Sequence, residues 1–212
     1  MPERHLREQI VHIGRLLEEK SLIESTAGNI SCRLDDEQAL ITPAGCRKGR
    51  LSPESLVRVR ISDGHSQGNP SSETPMHMGL YREFPKIGAV IHAHPPYATA
   101  FAVAGVELQY DVLPEVVAQL GRVPIAAYGR PTTEAMFASI RGLVDDRNAI
   151  LLKNHGSVTF GADLEEAFNY LEQLEFYASV VYRARQLGKV DALPDEEFNW
   201  LLSVRQAGGN GE

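Results

Sequence analysis

A chain of 212 residues with 43% hydrophobic and 23% charged side chains has ordinary globular composition, which excludes a fibrous repeat or a disordered polar tract. The formal net charge of −7, with basic residues dispersed and no Lys/Arg stripe, excludes a surface built for a nucleic-acid backbone. Apolar runs such as Ala89-Val90-Ile91 fall far short of the roughly 20 residues that cross a bilayer, and Met1-Pro2-Glu3-Arg4-His5 mixes both charge signs with no apolar stretch after it, so the expectation is a cytoplasmic protein with no membrane partner.

Residues 4 to 19 place Leu6, Ile10, Ile13, Leu16 and Leu17 at helical spacing, and Ser25-Thr26-Ala27-Gly28-Asn29 then breaks the pattern with turn residues. Asn29 to Leu34 and Ala39 to Thr42 read as strands of a hairpin with Asp35-Asp36 at its tip, the second ending at Thr42-Pro43-Ala44-Gly45. Cys32 and Cys46 show neither metal spacing nor a disulfide framework and are expected as free thiols. Residues 60 to 70 are loop-like and suit a surface hairpin. Ser71-Ser72-Glu73-Thr74-Pro75 supplies cap residues and an early proline for a helix from Pro75 to about Glu83.

Ile87 to His94 is apolar and β-prone and is closed by Pro95-Pro96, which predicts a buried strand, and Tyr97 to Ala104 then reads as a helix. Ala149 to Lys153 predicts another strand, ending at Asn154-His155-Gly156. Asp163-Leu164-Glu165-Glu166 is a capping box, opening a long helix with Ala167, Leu171, Leu174, Ala178 and Val181 along one face for core or subunit packing. Strands and helices interleave without a fixed repeat. The expectation is one α/β domain over 1–212, three layers deep, with a core over 4–187, a C-terminal tail over 188–212, and a central sheet flanked by helices.

Side chains alternate along a strand, so His92 and His94 point the same way with Cα atoms roughly 6.6 Å apart, close enough for two imidazoles to share an ion. HxH alone also fits two ordinary histidines at a strand end. His155 follows another predicted strand, and a third neutral nitrogen would leave an ion with an open position for water or substrate, the requirement for Lewis-acid catalysis. Zinc fits such a set, one per subunit, and manganese, cobalt or iron are compatible with the same ligands. His5, His12, His65 and His77 lack this arrangement and read as surface or packing residues. Glu73, on position alone, is an acid stabilised at a helix N-terminus. With Ser71, Ser72 and the free amides of the next turn it borders a cradle suited to phosphate, and similar small-residue turns stand at Thr26 to Asn29 and Thr42 to Gly45.

Five motifs in order, Thr26-Ala27-Gly28-Asn29-Ile30-Ser31, Ile41-Thr42-Pro43-Ala44-Gly45, Pro70-Ser71-Ser72-Glu73, His92-Ala93-His94 and Asn154-His155-Gly156, make the chain resemble the class II aldolase/adducin family. The resemblance extends to about residue 200 and is nearest the branch acting on L-fuculose 1-phosphate. It implies a central sheet that is mainly antiparallel or mixed, a C4 homotetramer with active sites at subunit interfaces, and a zinc-dependent aldolase. Such an enzyme cleaves a ketose 1-phosphate, of L-fuculose or of a deoxy or methylthio pentulose, to dihydroxyacetone phosphate and an aldehyde through a zinc-stabilised enediolate. It further implies that His92, His94 and His155 bind the metal and that Glu73 is the acid/base residue. Thr26, Asn29, Thr42, Gly45, Ser71 and Ser72 would hold the substrate phosphate.

Two departures bear on the aldehyde end. The branch carries a tyrosine where this sequence has Leu113, within Tyr110-Asp111-Val112-Leu113-Pro114-Glu115, so that Tyr110 or Glu115 would have to take over its role. It also has a C-terminal tyrosine, whereas Ser203 to Glu212 contains none. A 4-epimerase branch matches Ser71 to Pro75 more closely but has Asp where Glu73 stands. Methylthioribulose-1-phosphate dehydratases and sugar-acid phosphate decarboxylases share the metal triad, and adducin-like scaffolds share the fold without the chemistry.

Overall fold

The structure is a computed structural model and describes residues 2–145 and 147–208, the side chains of 206–208 excepted. The expected domain therefore includes, at 1, 146 and 209–212, residues outside the described ones. Seven strands form one sheet: β1 Asn29–Arg33, β2 Gln38–Ile41, β3 Val57–Arg60, β4 Ala89–Ala93, β5 Ile125–Ala126, β6 Ala149–Leu152 and β7 Gly156–Gly161, in the order β3-β2-β1-β4-β7-β6-β5. Every pairing is antiparallel except the short β5 against β6, so the sheet is mixed and mainly antiparallel, as expected.

The layers follow from alternation along the strands. Val90 of β4, Val158 and Phe160 of β7 and Ile150 and Leu152 of β6 join one core with Met76, Leu80 and Tyr81 of α2 (Thr74–Glu83) and Met136, Phe137 and Ile140 of α4 (Glu134–Ile140). Ile30, Ile91 and Ala93 point the other way, into a core with Ile10, Ile13 and Leu17 of α1 (Glu3–Glu19) and Leu164 and Leu171 of α5 (Leu164–Leu187). The rest of that face, around Leu151, is covered by Ala98, Phe101 and Ala102 of α3 (Pro96–Ala104) and Leu174, Ala178 and Val181 of α5. All five residues of the stripe expected on the long helix are buried. Burial of such a stripe, and not intrinsic propensity, supplies most of a helix's stability in a folded chain.

The local signals behave as their chemistry requires. Asp35 Oδ1 accepts the amides of Glu37 and Gln38, both at 2.8 Å, which closes the β1–β2 hairpin. Asp163 Oδ1 accepts the Glu166 amide at 2.8 Å, while the Glu166 carboxylate returns to the Ala162 amide, one residue before the cap. Residues 188–212, read as a tail, contain α6 (Asp195–Gly208), whose Phe198 ring meets Tyr110 edge-on at 5.4 Å and whose Leu201 is buried. The edge strand β3, the strand β7 and the helix α4 were not among the expected elements.

Candidate metal centre

The sheet centre places the histidines. His92 lies in β4 opposite Asn29 of β1 and Val158 of β7, and His94 is the first residue beyond the strand end. The turn between β6 and β7 brings the third: Asn154 takes φ +57, the His155 amide bonds to the Leu152 carbonyl at 3.0 Å, and the chain enters β7 at Gly156. Only glycine fits at 156, because a Cβ would lie 2.6 Å from both Ala93 O and His94 Cδ2. The three ring centroids are 4.6, 4.8 and 5.0 Å apart, and the ligand nitrogens all fall within 4.8 Å of one another.

The donor set fits a divalent ion. His92 Nδ1–H donates to the Ser157 carbonyl at 2.9 Å, which leaves the Nε2 lone pair for a ligand. His94 Nε2 stands 3.1 Å from His92 Nε2, near the ~3.3 Å between two nitrogens bound tetrahedrally at about 2.05 Å. His155 Nδ1 is buried with no hydrogen-bond partner among the described residues, so this ring is not committed to another contact through that nitrogen. Burial, reinforced by the neighbouring rings, holds His92 well below the ordinary imidazole range. Burial, then His155 and the Lys48 ammonium, lowers His94 to about 4, and burial also lowers His155. All three are therefore neutral at physiological pH, the form that binds metal.

Glu73 occupies the N-cap of α2 but does not cap it. Its carboxylate turns to the segment before α4, where Oε1 accepts the Thr132 amide at 2.7 Å, and Oε2 is buried without a partner. Burial raises its pKa and the Thr132 bond opposes the rise. The side chain is thus fixed by one oxygen and has the other available for proton exchange.

The three small-residue turns are also brought together. Thr42 is buried, its amide and hydroxyl both bonded to Ile30 of β1 at 3.0 and 3.2 Å, and the Ser71 amide donates to Thr42 O at 3.0 Å. The Ala44 amide bonds to Asn69 O at 3.1 Å, so the turn at Thr42 to Gly45 lies against the segment leading to Ser71. Gly45 takes φ +67, and a Cβ there would meet nothing within 4 Å. Ser71 and Asn29 are buried, whereas Ser72, Gly45 and Thr26 are exposed. Gly28, at φ +72, lets the first turn press against β4: a Cβ would come within 2.8 Å of His92 O.

Three residues at the site carried no sequence signal of a role there. His77, expected as a packing residue, is fully buried, but its Nε2 is 2.5 Å from Asn29 Oδ1 and its Nδ1 2.6 Å from Ser31 Oγ, which in turn meets the Tyr81 hydroxyl at 2.7 Å. Burial lowers His77 to about 3, so one ring nitrogen alone carries a proton. With Nε2–H donating to Asn29 Oδ1, Nδ1 accepts from the Ser31 hydroxyl. Thr132 holds Glu73 from a left-handed conformation, φ +66, that no glycine marks. Lys48 is 2% exposed and its ammonium bonds to the first turn at Thr26 O and to Cys46 O, just after the second.

Residues 8–182 match the sequence profile of the Class II Aldolase and Adducin N-terminal domain. A 3-oxo-tetronate 4-phosphate decarboxylase of Escherichia coli strain K12 is 35% identical over 186 residues, covering 85% of this chain and 87% of that protein. A 5-deoxy-D-ribulose 1-phosphate aldolase of Bacillus thuringiensis serovar kurstaki is 33% identical over 203 residues, 92% of either chain. Among solved structures, an L-fuculose 1-phosphate aldolase superposes with a TM-score of 0.86 at 28% identity, over 94% of this chain and 95% of the other.

Proposed function

Since the chain belongs to the class II aldolase and adducin family, we propose that it is a zinc-dependent carbon–carbon lyase that cleaves a ketose 1-phosphate to dihydroxyacetone phosphate and an aldehyde. The observation that carries this reading is the convergence of three neutral imidazoles, one with an orphaned nitrogen, in a fold whose one buried acid among the described residues is Glu73. His92, His94 and His155 would hold the ion, which would supply Lewis-acid polarisation of the substrate carbonyl.

The chain's own residues do the rest. Asn29, Thr42, Gly45, Ser71 and Ser72, with Thr26 at the rim, hold the phosphate by amides and hydroxyls and so fix the carbon skeleton. When the C3–C4 bond breaks, its electron pair stays on C3, and Glu73 delivers a proton there. Burial makes the Glu73 carboxyl a better proton carrier near neutrality than an exposed one. A scaffold without chemistry would have no use for three converging neutral imidazoles and a buried acid with an unpartnered oxygen. We take the domain to span 1–212 and the working unit to be a C4 tetramer; exposed Phe176 and Tyr182 on α5 and Trp200 on α6 support a covered surface.

A second reading is favoured by Leu113. Aldol cleavage requires the C4 hydroxyl to lose its proton as the aldehyde forms, and the candidate replacements are poorly suited: the Tyr110 ring packs on Phe198 and Glu115 is exposed. Loss of carbon dioxide from a 3-oxo acid phosphate needs no such proton removal, leaves the same electron pair for Glu73 to protonate, and also yields dihydroxyacetone phosphate. The similarity to a 3-oxo-tetronate 4-phosphate decarboxylase supports it.

One panel separates the two. Zinc-loaded protein is assayed for dihydroxyacetone phosphate release from L-fuculose 1-phosphate, 5-deoxy and 5-methylthio pentulose 1-phosphates and 3-oxo-tetronate 4-phosphate, with L-ribulose 5-phosphate included to detect epimerisation. Aldehyde in step with triose phosphate supports the aldolase, and carbon dioxide the decarboxylase. No triose phosphate from any substrate would sink both.

A further inference from the structure

Among the described residues, Lys48 is the one lysine or arginine in the buried set, at 2% exposure. It opens a single 3-10 turn, Lys48–Arg50, that rests on α1 where Gly14 gives it room; a Cβ at 14 would lie 2.4 Å from Lys48 O. From there the side chain runs inward, and Nζ donates to Thr26 O at 2.6 Å and to Cys46 O at 2.9 Å. These carbonyls belong to the first turn and to the residue just after the second. No described carboxylate lies within ion-pair distance of the ammonium.

A buried ammonium without a counterion is costly, and carbonyl dipoles compensate only part of the cost. Among the described residues two of its three N–H donors find partners, and the third, with the full charge, meets none. The charge is held between two turns lined with amides and hydroxyls, in a chain whose net charge of −7 would otherwise repel a dianion. We propose that Lys48 is an anion-binding residue of this site, anchored by the Thr26 and Cys46 carbonyls and giving its remaining N–H and its charge to the phosphate group of the substrate. The proposal rests on the reading that the turns at Thr26, Thr42 and Ser71 form the phosphate site.

A purely structural staple would need the donors but not the charge, and that difference is measurable. Inorganic phosphate is titrated by calorimetry at pH 7.5 into zinc-loaded wild-type protein and into Lys48→Gln, which keeps amide donors for the carbonyls, Lys48→Met, which fills the same space, and Asn29→Leu. The expected result is phosphate affinity weakened about tenfold or more in both Lys48 variants with zinc content unchanged, the scale of a charge-assisted hydrogen bond. Where Lys48→Gln does not fold, Lys48→Met is read in its place. Affinity within about twofold of wild type in the Lys48 variant, while Asn29→Leu loses binding, overturns the role of Lys48 and leaves the site standing. Undetectable binding to wild type, or unchanged binding in Asn29→Leu, overturns the site and the proposal together.

Discussion

At Glu73 the backbone and the carboxylate have separate tasks: the backbone starts α2, and the side chain leaves the helix for the Thr132 amide. Glu73→Gln keeps the shape and the metal ligands but removes the proton, so turnover should fall by roughly 10²-fold or more with zinc content unchanged. Full activity would reassign the acid/base role. The same substitution has a stability signature. Burial raises the folded carboxyl above its unfolded value, so the native state binds the extra proton and wild type loses stability as pH rises through the folded pKa. Metal-free Glu73→Gln should therefore melt higher than metal-free wild type near pH 8, with the gap closing below pH ~4.5. A gap that widens on acidification would reverse the sign of the shift. The convergence of the three histidines was legible because residue type, strand alternation and motif order all pointed one way. Thr132 was not, since a positive φ at a threonine between Pro131 and Thr133 leaves no compositional mark, and Lys48 reads in sequence as one more surface base.

Between elements, the site depends on how closely β7 approaches β4. Gly156 makes the closest contact, and Gly156→Ala would force the new methyl against Ala93 O and the His94 ring. The expected cost is about 1–3 kcal/mol in a thermal or denaturant melt, with zinc affinity, read by chelator competition, reduced about 10- to 100-fold. Gly142→Ala is the control, because nothing lies within 4 Å of a Cβ there. Equal behaviour of the two variants would show that the β4–β7 approach does not set the ligand geometry. The α1 stripe, the β1–β2 hairpin, β4, β6 and α5 were readable from periodicity, caps and turn residues. The strand β7 was not, because its six residues follow β6 after a turn of only three and the His155-Gly156 signal reads as a terminus. The strand β3 carries only two inward valines, Val57 and Val59, on an exposed edge. Ser71 and Thr42, read as separate turns, are joined by a backbone bond that no local pattern encodes.

On the scale of the whole molecule, α5 and α6 leave large apolar side chains in solvent: Phe176 is 61%, Tyr182 45%, Trp200 60% and Val204 43% exposed. An assembled protein should elute at a multiple of its 23.4 kDa chain mass, and Phe176→Glu or Trp200→Glu should lower both that mass and the activity. A fully active monomer would remove the tetramer. That the chain makes one central sheet was readable from alternating elements, and its mixed pairing from the family resemblance; its strand order was not, because the two central pairings of β4 join segments distant in sequence. His92 and the Ser157 carbonyl that fixes its tautomer are separated by 65 positions, and His155 enters with the same late segment. The consequence is temporal. A ribosome must release most of the chain, and β7 must dock on β4, before any three-nitrogen cage exists. Any ion these nitrogens hold is then captured at a closing step of maturation, after β4 and β7 have paired.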